Sequence, residues 1–245
     1  MAALTERDVP FLVCGAYALR HHTGISRQTK DLDLFVKRED IERALSVLTE
    51  AGFRTEFAFS HWLAKVYDGD EFIDIIFSSG NGVATVDDDF FAHAPHGTCF
   101  GMPIRWCPVE EMIWSKAYVM ERERFDGADV AHLLRSCAPS LDWQRLIERF
   151  GEHWRILFAH VVLFGFIYPN ERNVIPEWVI DELTERLKRE ASSNEEVGKV
   201  CGGTLISRQQ FLVDICEDGY LDARLTTGAM TETEVEDWTA AIAKP

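Results

Sequence analysis

Phe11-Leu-Val-Cys-Gly15-Ala16 and, fifteen residues beyond Ala16, Asp31-Leu-Asp-Leu-Phe-Val36 are the two runs on which the fold is decided. The first is a short apolar run that stops at a glycine, which reads as a strand turning into the next element. Residues 16–22 follow as a short helix closed by Thr23-Gly24. The second run alternates apolar and polar residues, as a half-buried strand does. Asp31 and Asp33 are two apart, so both side chains share one face of that strand. Neighbouring carboxylates repel each other and are expected where a divalent cation neutralises them. An oxygen-only donor pair suits magnesium or manganese. A polar strand face or a helix-cap region is the plainer use of the same two acids.

The pattern around this centre alternates strand and helix. Asp40 to Ala51 places Ile41, Ala44, Leu45 and Leu48 at helical spacing, with Gly52 as the stop. Residues 53–59, 62–67 and 72–77 read as three further strands, and Asp68-Gly-Asp70 supplies a turn between the last two. After about residue 106 the period becomes helical, with segments predicted near 109–123, 126–137, 142–150, 153–168 and 176–191. Ser207 with Gln210, and Thr231 with Glu234, have the spacing of capping boxes. The expectation is an α/β (α+β) N-terminal half with a mixed sheet, residues 1–105, and an all-helical C-terminal region, residues 106–245, packed on it.

Asp74 is the lone charge in the apolar strand Phe72-Ile-Asp-Ile-Ile-Phe77. A carboxylate there is costly unless it is paired, with an arginine for example, or bound to a metal. If its strand lies beside the one holding Asp31 and Asp33, three acids converge. Upstream, Gly15 closes a strand and opens a helix whose free N–H groups can cradle a phosphate. From Arg20 to Arg38 the basic residues Arg20, Arg27, Lys30, Lys37 and Arg38 outnumber the acids Asp31 and Asp33 among them, a local reversal of sign in a chain of net charge −16.

These residues resemble the nucleotidyltransferase superfamily of the polymerase-β type. The shared pattern is an apolar residue, two small residues, a spacer, Asp-x-Asp, and a later strand acid, represented by Gly15-Ala16, Asp31-Leu-Asp33 and Asp74. The spacing Arg27, Thr29, Asp31, Asp33 is similar to that of small bacterial members. The resemblance covers residues 11–77 and extends loosely to Lys116 and to Phe125-Asp-Gly-Ala-Asp-Val130. It implies a metal-dependent transfer of a nucleoside monophosphate from a nucleoside triphosphate, such as ATP, to an acceptor hydroxyl. Asp31, Asp33 and Asp74 would be the catalytic and metal-holding acids. Gly15, Ala16, Arg27, Lys30 and Lys116 would bind the nucleotide, with Mg2+ or Mn2+ as cofactor. Lys116 has a second use, as a helix lysine that snorkels. Asp126 and Asp129 read better as the cap of the next helix, and His21 and His22 as a solvated helix end.

One departure is Ala16, where the family has Gly or Ser; its N–H remains but the serine hydroxyl is lost. That leaves a non-catalytic nucleotide sensor or interaction module as the alternative. The family's acceptors are small hydroxylated molecules in antibiotic-modifying relatives, and RNA ends or protein side chains in toxin relatives of toxin–antitoxin pairs. Net charge −16 disfavours a broad nucleic-acid surface and an anionic membrane. The six cysteines form no CxxC pair, and the first eight residues hold no apolar signal core, so the expected compartment is the cytoplasm. The most apolar run, residues 156–168, is too short to cross about 30 Å of hydrocarbon and reads as a buried helix or a homodimer seam.

Overall fold

The computed structural model describes residues 1–27, 29, 31–193 and 198–241. The chain divides into two compact units, residues 1–108 with 227–245, and residues 109–226. The return of residues 227–241 to the first unit is a long-range packing event that the local pattern after residue 106 does not reveal.

The first unit begins with α1 (Ala2–Glu6), β1 (Leu12–Val13), α2 (Gly15–Thr23), β2 (Leu32–Phe35) and α3 (Ile41–Glu50). It continues through β3 (Arg54–Phe59), β4 (Leu63–Asp68), β5 (Glu71–Ile76), α4 (Asp88–Ala92) and the hairpin β6 (His96–Cys99) and β7 (Met102–Arg105). Five strands form one sheet in the order β1-β2-β5-β4-β3. Only β2 and β5 pair in parallel; the β1–β2, β5–β4 and β4–β3 pairs are antiparallel. The sheet is therefore mixed, as the sequence pattern leads one to expect. The β4–β5 hairpin turns through Gly69-Asp70, with Asp68 opposite Glu71 and Gly69 at φ +60°.

Alternation decides which side of the sheet meets the core. Leu34, Ile75 and Ala64 are register neighbours across β2, β5 and β4, and all three are fully buried. In α3, Ile41, Ala44, Leu45 and Leu48 are buried at helical spacing, and α3 packs on β3. On the opposite face Phe35 of β2 meets Phe90 of α4 edge-on at 5.7 Å. That aromatic cover stops short of the polar residues nearer the start of β2.

The second unit contains α5 (Val109–Ala117), α6 (Gly127–Cys137), α7 (Trp143–Phe150), α8 (Trp154–Ile167) and α9 (Glu177–Ser192), followed by β8 (Val200–Cys201), α10 (Leu212–Cys216), β9 (Leu221–Asp222) and α11 (Ala223–Thr226). The last helix, α12 (Glu232–Ala240), belongs to the first unit. The second unit is helical apart from the parallel pair β8–β9, a departure from the expected all-helical region. These two-residue strands are too short to carry a period-2 signal. Helix α5 ends at Ala117, six residues before the predicted 123, because the Ala117 carbonyl accepts from His160 Nε2 of α8 (2.8 Å) and Met120 N–H turns to the carbonyl of Ile206 (3.0 Å). Thr231 and Glu234 form a full capping box at the start of α12. Ser207 receives only a 3.4 Å bond from Gln210 N–H, and α10 starts later.

The stretch Trp143–Ile167 is, among the described residues, long and apolar enough by length and composition to cross a membrane. It is interrupted at Gly151, whose φ is +48°. Its second part, α8, buries Trp154, Leu157, His160, Val161 and Phe164 and packs on α5, α6 and α7. Burial rather than lipid accounts for that side of the helix.

Ile75 sits at the centre of the buried face of the sheet, so Ile75→Ala is expected to destabilise the first unit by about 3 kcal/mol, through lost transfer free energy and a residual cavity. Urea unfolding followed by tryptophan fluorescence reads this directly.

Candidate active site

Backbone pairing builds the site. Cys14 N–H donates to the Asp33 carbonyl at 2.9 Å, which ties the end of β1 to β2 where α2 begins. Gly15, the first residue of α2, has φ +58°, and a Cβ on it would lie 1.6 Å from Asp33 Oδ2. Glycine is required here twice over, by the backbone conformation and by the carboxylate packed against it. The start of α2 and the side chain of Asp33 are thus in direct contact. Cys14 caps α2 without a side-chain hydrogen bond.

Asp31 lies half-buried just before β2. Thr29 sets its backbone: the Thr29 hydroxyl donates to the Asp31 carbonyl (3.0 Å) and accepts from Asp31 N–H (3.3 Å). Asp33 and Asp74 are register partners across the parallel β2–β5 pair. The strand bearing Asp74 therefore does lie beside the strand bearing Asp33, and cross-strand partners in register project to the same face. Like charges placed this way are unfavourable unless a cation is shared. Lys65, register partner of Asp74 on β4, donates from Nζ to Asp74 Oδ1 at 2.8 Å. The partner of Asp74 is thus a lysine rather than an arginine.

Lys65 is the residue that sequence reading missed. Its signal was weak but present: a lone lysine in the alternating run 62–67, whose role appears only when β4 is laid against β5. Beyond it, Glu56 of β3 is opposite Lys65 and is held by the Tyr67 hydroxyl (2.6 Å) and by Arg54 (2.6 Å).

Arg27 is exposed in the segment between α2 and β2. Lys30 lies outside the described residues. Lys116 belongs to the second unit, where Nζ pairs with Asp126 (3.2 Å) and Asp129 (2.9 Å). Asp126 occupies the cap position of α6 but makes no side-chain cap bond; its carboxylate goes to Lys116 and Arg124 instead. Burial opposes the charge on Asp126, yet the bonds from Arg124 and Lys116 outweigh it and hold the carboxyl below its ordinary value. His21, exposed in the last turn of α2, stacks on Trp106 at 4.7 Å, and the half-buried His22 bonds the Cys107 carbonyl through Nε2 at 2.8 Å.

The donor chemistry at Asp33 and Asp74 fits a hard divalent cation, since both are carboxylates and they stand side by side in register. Among the described residues no group of three or more His, Cys, Asp or Glu is gathered closely enough to hold an ion. Asp74 gives one oxygen to Lys65.

Residues 3–162 match the family described as uncharacterised nucleotidyltransferase. The chain belongs to that family. It is a nucleotidyltransferase, and its mixed five-stranded sheet with helices is the fold expected of one. No curated protein sequence matches it significantly. Among solved structures, the antibiotic-resistance factor ANT(2″)-Ia is similar at 22% identity over 65% of this chain and 91% of that one, with a TM-score of 0.44. The lincosamide antibiotic adenylyltransferase LnuA, bound to lincomycin, is similar at 14% identity over 54% and 90%, TM-score 0.38. An antigenic nucleotidyltransferase-like protein from Paracoccidioides brasiliensis is similar at 14% identity over 65% and 87%, TM-score 0.39.

Two outcomes are expected of this nucleotidyltransferase. Gly15→Ala costs at least about 1–3 kcal/mol in urea unfolding, because the methyl meets both a left-handed backbone and the Asp33 carboxylate. Lys116→Met costs about 3 kcal/mol near neutral pH by leaving Asp126 and Asp129 without their shared cation. The Asp126 contribution has a definite sign with pH. A carboxyl held below its ordinary value stabilises the fold above about pH 4 and loses that effect as pH falls through the folded value, so the deficit of Lys116→Met shrinks on acidification.

Proposed function

We propose that this nucleotidyltransferase moves a nucleoside monophosphate from a nucleoside triphosphate to a hydroxyl of a small-molecule acceptor, using Asp31, Asp33 and Asp74. The observation that carries the reading is the register pairing of Asp33 with Asp74, next to a helix start at Gly15 that packs on the Asp33 carboxylate. Asp33 and Asp74, with Asp31 just before the same strand, would hold magnesium or manganese. Such an ion, when bound, neutralises triphosphate charge and stabilises the developing charge on the leaving pyrophosphate.

The chain's own groups account for the rest. The Gly15 and Ala16 N–H groups at the head of α2 bind a phosphate through their positive backbone ends. Arg27, exposed before β2, and Lys30 add positive charge along the triphosphate. Asp74 takes the proton of the acceptor hydroxyl as general base. The freed oxygen attacks the α-phosphorus, a new P–O bond forms, and the bond to the bridging oxygen breaks with its electron pair leaving on pyrophosphate. Lys116 has less claim to a phosphate, because reaching one would require it to leave both Asp126 and Asp129.

Charge supports a small acceptor over RNA. A chain of net charge −16 offers few cations for a run of phosphates, while it suits a hydroxylated molecule that is itself cationic.

The test incubates the protein with Mg2+ or Mn2+ and each α-labelled nucleoside triphosphate, with fractionated cell extract as acceptor. Label is expected in the small-molecule fraction, and Asp33→Asn is expected to lower transfer by at least about a hundredfold, as loss of an essential charge-stabilising group does. Label in RNA or in protein would replace the acceptor class. Tight nucleotide binding with no transfer into any fraction would favour the sensor reading.

A further inference from the structure

The polar face of the sheet does not end at the acids. Register places Asp33, Asp74, Lys65 and Glu56 in one row across β2, β5, β4 and β3. Lys65 and Asp74 are both mostly removed from water, with side chains 23% and 17% exposed. The ammonium also rests over the Phe72 ring, 3.7 Å from its centroid. An ion pair half-sheltered in this way is screened less than a surface pair and is held in one geometry. Glu56, on the other side of Lys65, is already engaged by Tyr67 and Arg54. The lysine gives its hydrogen bond to Asp74, while its charge also reaches Glu56.

We propose that Lys65 is the resident counter-cation of the acid pair: it competes with a divalent ion for Asp74 and so sets the cation concentration at which Asp33 and Asp74 are drawn to one ion. The inference rests on the reading of those two acids as cation ligands. Its physical basis is simple. Two register-paired carboxylates need positive charge, and Lys65 supplies one unit of it from the neighbouring strand. It does so by taking Asp74 Oδ1, on the side of β5 away from Asp33. A divalent ion must displace the ammonium from that oxygen and then sit near a residual positive charge. Lys65 is thus a positioning residue: it acts through Asp74.

The experiment titrates Mn2+ alone into the full chain, following free Mn2+ by electron paramagnetic resonance. Lys65→Met is expected to bind Mn2+ about tenfold tighter, because a competing unit charge within a few ångströms has been removed. Lys65→Gln is expected to tighten binding in the same direction and is the variant to read should Lys65→Met not fold. Lys65→Arg keeps wild-type affinity. In an Asp74→Asn background the effect of Lys65→Met disappears. A merely structural lysine would give weaker binding and a lower melting temperature on removal. Unchanged or weaker Mn2+ binding in the uncharged variants, with binding still lost in Asp74→Asn, overturns the competition and leaves the acid pair standing. Unchanged Mn2+ binding in Asp74→Asn overturns the ligand reading itself.

Discussion

Two carboxylates held in register on neighbouring parallel strands are the constraint around which the first unit is arranged. Asp33 and Asp74 face each other because Leu34 and Ile75, one residue further along, are buried partners on the opposite face. A one-residue slip of β5 would turn Asp74 into the apolar core and Ile75 out of it. The core therefore specifies the acid pairing, and the acid pairing in turn demands compensation. Glycine at position 15 leaves room for one carboxylate, and Lys65 answers the other.

Charge compensation is equally local in the second unit. Glu111 is fully buried, and burial pushes its carboxyl up against the pull of Arg145 and Arg149; Arg145 bonds it directly and Arg149 Nε lies 3.2 Å away. Glu110 accepts from Asp142 N–H at 2.9 Å and pairs with Arg145 at 2.7 Å, joining the start of α5 to α7. Asp126 and Asp129 share Lys116. In a chain with 41 acidic and 25 basic residues, the cations Lys116, Arg145 and Arg149 are held by sheltered acids.

Much of the first unit was legible from local pattern, because strand alternation, helical spacing and the Asp68-Gly-Asp70 turn are short-range signals. Family membership was legible too, since Gly15-Ala16, Asp31-Leu-Asp33 and Asp74 are sequence features with a fixed order. Other features were not. Helix α5 looked longer than it is because its end is imposed by His160 from α8 and Ile206, not by a breaker in its own sequence. Lys116 looked equally suited to phosphate or to snorkelling, and only the fold of α5 against α6 brought Asp126 and Asp129 onto it.

The sequence by itself determined the strand–glycine–helix entry, the lone acid in an apolar strand, and the sign of the net charge; the first two depend on residues near one another in the chain, whereas Asp31, expected on the strand face of Asp33, lies just before β2. Tertiary structure alone decided that β5 lies parallel to β2 with Asp74 opposite Asp33, that Lys65 takes Asp74, and that α12 returns to the first unit. The reason is physical. Register and strand order are chosen by burial of whole rows such as Leu34, Ile75 and Ala64, a cooperative property of residues 11 to 41 positions apart that no local period encodes.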